Sequence, residues 1–600
     1  MRHIFIFFYL IFLSKTYAQN LQYKSIVREQ SEFYQSLNLH SEKQFDSLRA
    51  IDNSQTINSQ NKNLSPSTCA LNKKVFGWHP YWNGTTYTNY QWNLLSDLCY
   101  FDYTVSSSTG SNTNASFAWN TASVVTIAQA NGTKVHICAT MFSGHSTFWA
   151  SITAQNTFIN NIISLLNTRQ GNGVNIDFEG MGSSDKVPFT TFITNLNAAL
   201  NAANPNYQLS VCIYAVEWSS VFDIPNLNSQ VDFYTLMGYD YYYAGSAQAG
   251  PTAPLYNFDT GYNYTLSKSI TYYLKQGIPQ NKLVLGLPYY GREWEVTGNT
   301  VPANTTGAFN ASRTLSYINN NPATYTTANL YWENNCYSPY YKYVSGGNNR
   351  QCFIDDVYSL GRKYDMVNQR GLAGIGIWAI GYDDGMSVYW TLIQNKFSNC
   401  APIVCNDSIF DMGGPTRNYY DNEKYDYTLS APTGSLVQLQ FKSFGAELNF
   451  DSLWLYNGTN TLSPLIGAYT GTNSPGVITS AAQSLTLRFK SDGATNTFGF
   501  KAIKSCTPQI VISGILNNEN QNNDFSLFPN PTKGEFSISG INFSSVQVLD
   551  VNGRCIYKTN SGNSENVIDL NKMNADKGLY FVFITENSGR KIYRKLIYAE

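Results

Sequence analysis

Between Lys74 and Lys396 the apolar residues fall into short runs, and longer stretches of mixed helical character separate them. The runs are VFGWH (75–79), LCYFDY (98–103), KVHICATM (134–141), VNIDFE (174–179), LSVCIY (209–214), DFYTLM (232–237), KLVLGLP (282–288) and GIGIWAI (374–380). Short apolar strands alternating with helices predict a parallel sheet covered by helices. Eight of them over this length match a (β/α)8 barrel with insertions. The Asn-, Thr- and Tyr-rich interval from Arg292 to Cys352 reads as an insertion beside the last strand.

On either side of this region the pattern changes. Residues 19–73 are polar and have little to bury, which predicts one short helix around Tyr23 to Ala50 and then a linker. From Cys400 to Cys506 helical periodicity vanishes, and runs such as SLVQLQF, DSLWLY and SLTLRFK are set off by Gly, Asn, Ser and Pro turns. That is the pattern of a β-sandwich. After an Asn-rich linker (507–523), further short strands over 524–600 predict a second small β-domain. The expected architecture is therefore α/β: a barrel over 74–399, then two small all-β sandwich domains at 400–506 and 524–600.

At the N-terminus Arg2 and His3 precede an apolar run from Ile4 to Leu13 and a small-residue site at Thr16-Tyr17-Ala18. This is the pattern of a secretory signal peptide over 1–18. The run is too short to span a membrane, and no other segment is long and apolar enough. Ten cysteines are too few to form the framework of the fold, but an exported chain permits disulfides. Cys336 with Cys352, and Cys506 with Cys400 or Cys405, are the expected pairs. Cys99, Cys138 and Cys212 lie inside strand-like runs and are expected to be buried free thiols.

Charge narrows the function. Lys and Arg number 39 against 40 Asp and Glu, so no basic stripe invites nucleic acid. The five histidines form no metal-binding cluster, and neither a phosphate loop nor a G-x-S-x-G elbow is present. The chemistry concentrates in Val174-Asn175-Ile176-Asp177-Phe178-Glu179. Alternation puts Asn175, Asp177 and Glu179 on one face and Val174, Ile176 and Phe178 on the other. If the apolar set packs under helices, two carboxylates and an amide face the barrel interior, where an ordinary core strand carries Val or Ile. A hydrogen-bonded strand without a catalytic role is the competing reading.

This strand resembles that of glycoside hydrolase family 18, the chitinase family, with its DxxDxDxE motif. Met237-Gly238-Tyr239-Asp240 resembles the family's M-x-Y-D, and Ala253-Pro254-Leu255-Tyr256 the segment that follows it. Leu285 to Arg292 is similar to the strand ending in Y-G-R, and Gly376-Ile377-Trp378-Ala379 to the eighth strand. The resemblance spans residues 74–396 and implies cleavage of β-1,4 bonds next to N-acetylglucosamine. It makes Glu179 the proton donor, with the substrate's own acetamido oxygen as nucleophile and Asp177 orienting that group. Asn175, Met237, Tyr239, Asp240, Tyr290 and Arg292 would bind the sugar, and Trp378 would lie beneath it. No cofactor is implied in the barrel.

Two positions depart from the motif: Asn172 and Asn175 stand where the family has Asp. The Asn175 amide is expected to donate to Asp177 and favour its ionised form. Two alternatives to a chitinase remain, an endo-acting glucosaminidase on peptidoglycan or N-glycans and a carbohydrate-binding barrel without turnover. Binding-only relatives lose the residue equivalent to Glu179, so its presence favours an enzyme.

Residues 400–506 resemble a CUB domain, through Asp451-Ser452-Leu453-Trp454-Leu455-Tyr456-Asn457-Gly458, Ser491-Asp492 and Phe498-Gly499-Phe500. In calcium-binding members Asp451 and Asp492 would be ligands, with Glu447 expected too close to Asp451 to be the third. A packing or adhesion module is the alternative. Residues 524–600 resemble a type IX secretion sorting domain, in Pro529-Asn530-Pro531-Thr532, Asp550-Val551-Asn552-Gly553, Gly578-Leu579-Tyr580 and Lys595-Leu596-Ile597. That resemblance implies outer-membrane secretion machinery as a partner, and a secreted or cell-surface location.

Overall fold

The computed structural model describes residues 24–52, 69–259, 261–508, 525–560 and 567–599. The signal peptide expected at 1–18 lies outside the described residues, as do most of the expected linkers. The N-terminal segment forms two helices rather than one, α1 (Ile26–Ser36) and α2 (Glu42–Asp52). Ser25 caps α1 by accepting from the Arg28 backbone N–H at 3.1 Å, and Glu29 in the first turn suits the positive end of the helix dipole.

Seven barrel strands follow: β1 (Lys74–Pro80), β2 (Asp97–Thr104), β3 (Lys134–Met141), β4 (Gly173–Phe178), β5 (Gln208–Ile213), β6 (Phe233–Met237) and β7 (Leu283–Pro288). An inserted antiparallel sheet comes next, with β8 (Tyr290–Val296), β9 (Thr305–Thr314), β10 (Leu330–Glu333), β11 (Ser338–Ser345) and β12 (Asn348–Phe353). Strand β13 (Gly374–Trp378) then closes the barrel between β7 and β1. All eight expected barrel strands are present, and the insertion lies between the last two.

The alternation along β4 sorts as its sequence predicts. Val174, Ile176 and Phe178 face outward, and Phe178 packs at 5.9 Å from Phe192 and 6.5 Å from Phe158, on the helices Lys186–Ala203 and Ile152–Arg169. Gly173 starts the strand where a Cβ would come within 2.1 Å of the Gln208 carbonyl, so glycine is required for β4 to lie against β5.

Eight strands in two four-stranded antiparallel sheets build the sandwich over 407–508. It belongs to the same compact unit as the barrel. Arg370 Nη1 meets Glu423 Oε1 at 3.0 Å, both fully buried, and Arg362 Nη1 meets Asp407 Oδ1 at 2.7 Å. Two disulfides are present among the described residues, Cys69–Cys400 and Cys405–Cys506. The expected Cys336–Cys352 pair is not: both thiols are buried and free. The register places Cys352 opposite Tyr341, five residues along from Cys336, beyond the ~7 Å that a disulfide spans. Cys99, Cys138 and Cys212 are buried free thiols, as expected.

Residues 525–599 form a unit with its own core around Phe536, Ile538, Val548, Ile584 and Leu596, between a three-stranded and a four-stranded sheet.

Candidate functional site

The site forms where the barrel strands end. Asn175 on β4 is fully buried, Asp177 is 2% exposed, and Glu179, the residue after the strand's Phe178, is 6% exposed. A backbone bond from Glu179 N–H to the Met141 carbonyl at 2.9 Å fixes where the glutamate leaves the sheet. Asp177 Oδ1 and Glu179 Oε1 are buried and find no hydrogen-bond partner among the described residues. Burial raises both carboxyls above the ordinary range. For Glu179 the nearby Asp177 charge adds to this against a hydrogen bond from Ser25, and for Asp177 the Asp102 charge adds to it against one from Cys212. The Asp177 carboxyl is pushed up to about 7, and that of Glu179 rises well above its ordinary value.

Asn175 does not act as the motif suggested. Its Nδ2 donates to Ser210 Oγ at 2.9 Å rather than to Asp177, because the β4–β5 register sets Asn175 beside Ser210. Its Oδ1 accepts from Trp78 Nε1 at 3.0 Å and from Cys212 Sγ at 3.3 Å. The amide is thus a satisfied cross-brace beneath Asp177, whose carboxyl is raised rather than held ionised.

Met237 ends β6, and just beyond it Tyr239 is buried, its ring 6.2 Å from that of Tyr290. Asp240 adopts φ +59°, a left-handed turn that returns its carboxylate to accept from Tyr290 Oη at 2.7 Å. Trp378 at the end of β13 is 1% exposed, with edge contacts to Phe101 at 5.0 Å and Trp78 at 6.3 Å. Arg292 on β8 is fully buried, although its motif alone is equally compatible with a surface residue.

Several residues of the site escaped the sequence reading. Asp102 on β2 is fully buried and accepts from Thr140 Oγ1 at 2.5 Å, Thr104 Oγ1 at 2.6 Å and Asn114 Nδ2 at 2.7 Å. A carboxylate inside the apolar run LCYFDY was the available signal. Tyr214, just past β5, donates to the Phe178 carbonyl at 3.1 Å and accepts from the Met181 N–H at 3.2 Å, bracing the loop around Glu179. The largest omission is α1, which lies in the barrel mouth. The Ile26 N–H donates to Asp240 Oδ2 at 2.6 Å, and the Arg292 guanidinium grips both Glu29 oxygens at 3.0 Å. Gln30 Oε1 accepts from Trp378 Nε1 at 3.2 Å and from Tyr382 Oη at 3.0 Å.

In the sandwich, Glu447, Asp451 and Asp492 bring one oxygen each within 4.8 Å of one another. This corrects the expectation that Glu447 is too near in sequence. The Asp451 N–H bonds to the Glu447 carbonyl at 3.0 Å, and that turn sets the two side chains together. Tyr419 Oη and the Asp492 N–H both donate to Asp451, the latter at 2.8 Å. Three carboxylates are a hard-oxygen set of the kind calcium takes.

The profile for glycosyl hydrolases family 18 matches residues 74–383, that for the CUB domain residues 405–503, and that for the secretion system C-terminal sorting domain residues 526–599. A putative sporulation-specific glycosylase of Bacillus subtilis is 27% identical over 243 residues, 39% of this chain and 53% of the relative. A probable endochitinase of Caenorhabditis elegans is 26% identical over 255 residues, 39% of this chain and 41% of the relative. The chain spans about half the length of the curated relatives it matches. Among solved structures, a chitinase from Trichuris suis superposes with a TM-score of 0.49 at 20% identity, covering 54% of this chain and 99% of that one. With a closed eight-stranded barrel and a family profile that matches more than half of its residues, the chain belongs to glycosyl hydrolase family 18.

Proposed function

We propose that the chain is a secreted glycosidase that cleaves β-1,4 bonds next to N-acetylglucosamine with retention of configuration, and that chitin-type polymers are its substrate. The observation that carries this reading is the buried Asp177–Glu179 pair at the end of β4, each residue with an unpartnered oxygen and a raised proton affinity. A carboxyl that is still protonated near neutral pH can donate to a glycosidic oxygen and, once ionised, take a proton from water. Asp177 Oδ1 would accept the acetamido N–H and so turn the acetamido oxygen toward the anomeric carbon. Attack by that oxygen, opposite the leaving sugar, expels it with the proton from Glu179, and water then opens the cyclic intermediate from the face the leaving sugar vacated, so configuration is retained. Tyr239 and Asp240 would hold the same sugar, and Trp378 would lie beneath it.

An endo-acting glucosaminidase is the second reading. Asn175 in place of an acid favours it, and among the relatives is a cortical fragment-lytic enzyme of Bacillus anthracis, 24% identical over 259 residues. The sorting-domain match supports export or surface display. Challenging the chain with chitin oligomers, peptidoglycan and N-glycans, with the anomer of the first product read by NMR, separates the two. Inverted products, or brisk cleavage of the deacetylated polymer, would overturn the mechanism.

A further inference from the structure

Helix α1 does more than lie near the site, because it satisfies the polar groups that a sugar would use. Ser25 lowers the proton affinity of Glu179, the Ile26 N–H takes Asp240, Glu29 neutralises Arg292, and Gln30 takes the Trp378 indole N–H. One step farther out, Tyr34 stacks on Trp82 with ring centres 4.7 Å apart and planes within 10°. A peptide thus fills the cleft in the manner of a ligand, with charge, amide and aromatic contacts in place of those a glycan would make.

The hold of α1 is modest. Only Ile26, Val27 and Ser31 are buried along it, while Phe33 is 54% exposed and Glu32 makes its ion pairs on the surface. An eleven-residue helix is marginal in isolation, so α1 loses its own structure when it leaves. The barrel does not need it, since the sheet closes between β1 and β13 without a strand from this region. Helix α2 supplies an anchor outside the cleft: Asp46 accepts from the Thr85 N–H at 3.0 Å, and Arg49 donates to the Asn83 carbonyl at 2.7 Å. That anchor keeps α1 at high local concentration over the mouth.

We propose that residues 25–36 are an autoinhibitory plug, so that the folded chain is latent and hydrolysis requires α1 to leave the barrel mouth. The proposal rests on the glycosidase reading of Asp177 and Glu179. Substrate affinity is then reduced by the fraction of molecules in which the mouth is open, and weakening the plug should restore it without touching the chemistry.

The test compares the full chain with its Glu29→Lys/Gln30→Ala variant, which sets a cation against Arg292 and removes the cap from Trp378. On a fluorogenic chitotrioside the variant should show a kcat/KM at least about tenfold higher, with a cooperative melt retained. Should the double variant fold poorly, Gln30→Ala alone should move in the same direction. In the unmodified chain, N-acetylchitotetraose should abolish hydrogen-exchange protection of the 26–36 amides as it binds. Equal kcat/KM in all three proteins, or tetraose binding that leaves α1 protected, overturns the plug while leaving the glycosidase reading intact. Absence of both turnover and tetraose binding in every protein overturns that reading and the plug with it.

Discussion

The two ends of the barrel bury carboxylates equally deeply and treat them in opposite ways. At the end where the strands begin, Asp97 is 1% exposed, and His136 Nε2 at 2.9 Å and Lys74 Nζ at 2.8 Å both hold it. Burial pushes its carboxyl up, but the histidine and the lysine more than offset this, and it ends well below its usual value. At the other end Asp177 and Glu179 are buried with no salt bridge among the described residues, Arg28 only partly offsets the rise at Glu179, and both carboxyls rise. Depth alone therefore does not set proton affinity. What differs is whether the fold supplies an ion-pair partner.

The sharpest break of this contrast is Glu179→Gln, which should cost at least about a hundredfold in turnover while the melting temperature holds or rises, because a strained buried acid is removed. A loss of stability in step with activity would place Glu179 among the structural carboxylates. At the opposite end, Asp97→Asn should cost about 3 kcal/mol in denaturant unfolding, the usual scale for breaking a buried ion pair, with kcat unchanged below the transition.

The pH dependences should run in opposite directions. A carboxyl raised from 3.8 to about 7 gives Asp177 a stabilising contribution that is fully present below pH 3.8 and lost as pH rises toward 7, at about 1.4 kcal/mol per pH unit. Asp177→Asn should therefore match the parent near pH 4 and exceed it in stability at pH 8. Asp97 is depressed, so its contribution is present above 3.8 and lost as pH falls, and the cost of Asp97→Asn should shrink in acid. Melting curves at three pH values decide both signs. The smallest effect is expected away from the barrel. If Glu447, Asp451 and Asp492 hold calcium, millimolar calcium should raise the sandwich melting temperature by a few degrees, and Asp492→Asn should abolish the shift.

The barrel was legible because its signals are local. Each strand carries its own apolar run, and the parity of Asn175, Asp177 and Glu179 against Val174, Ile176 and Phe178 follows from a period of two. The errors all concern partners distant in the chain, or geometry that spacing does not encode. The Asn175 amide turned to Ser210 because of a register between strands, and Glu447 reached Asp451 through a turn. The placement of helix α1 in the barrel mouth, though not the helix itself, was invisible for the same reason. Its polar residues look solvated until Asp240, Arg292 and Trp378 arrive beside them from more than two hundred positions away.

The Cys69–Cys400 bond turns the barrel into a covalent ring, with entry and exit Cα atoms 5.5 Å apart. Tension applied between the N-terminal helices and the sandwich passes across that bond and leaves the eight strands unloaded. A pull on the N-terminus can strip α1 and α2 from the surface but stops at Cys69. Mechanically, the barrel is a bead threaded on the chain by its clasp, and what lies ahead of the clasp can be drawn away without deforming the bead.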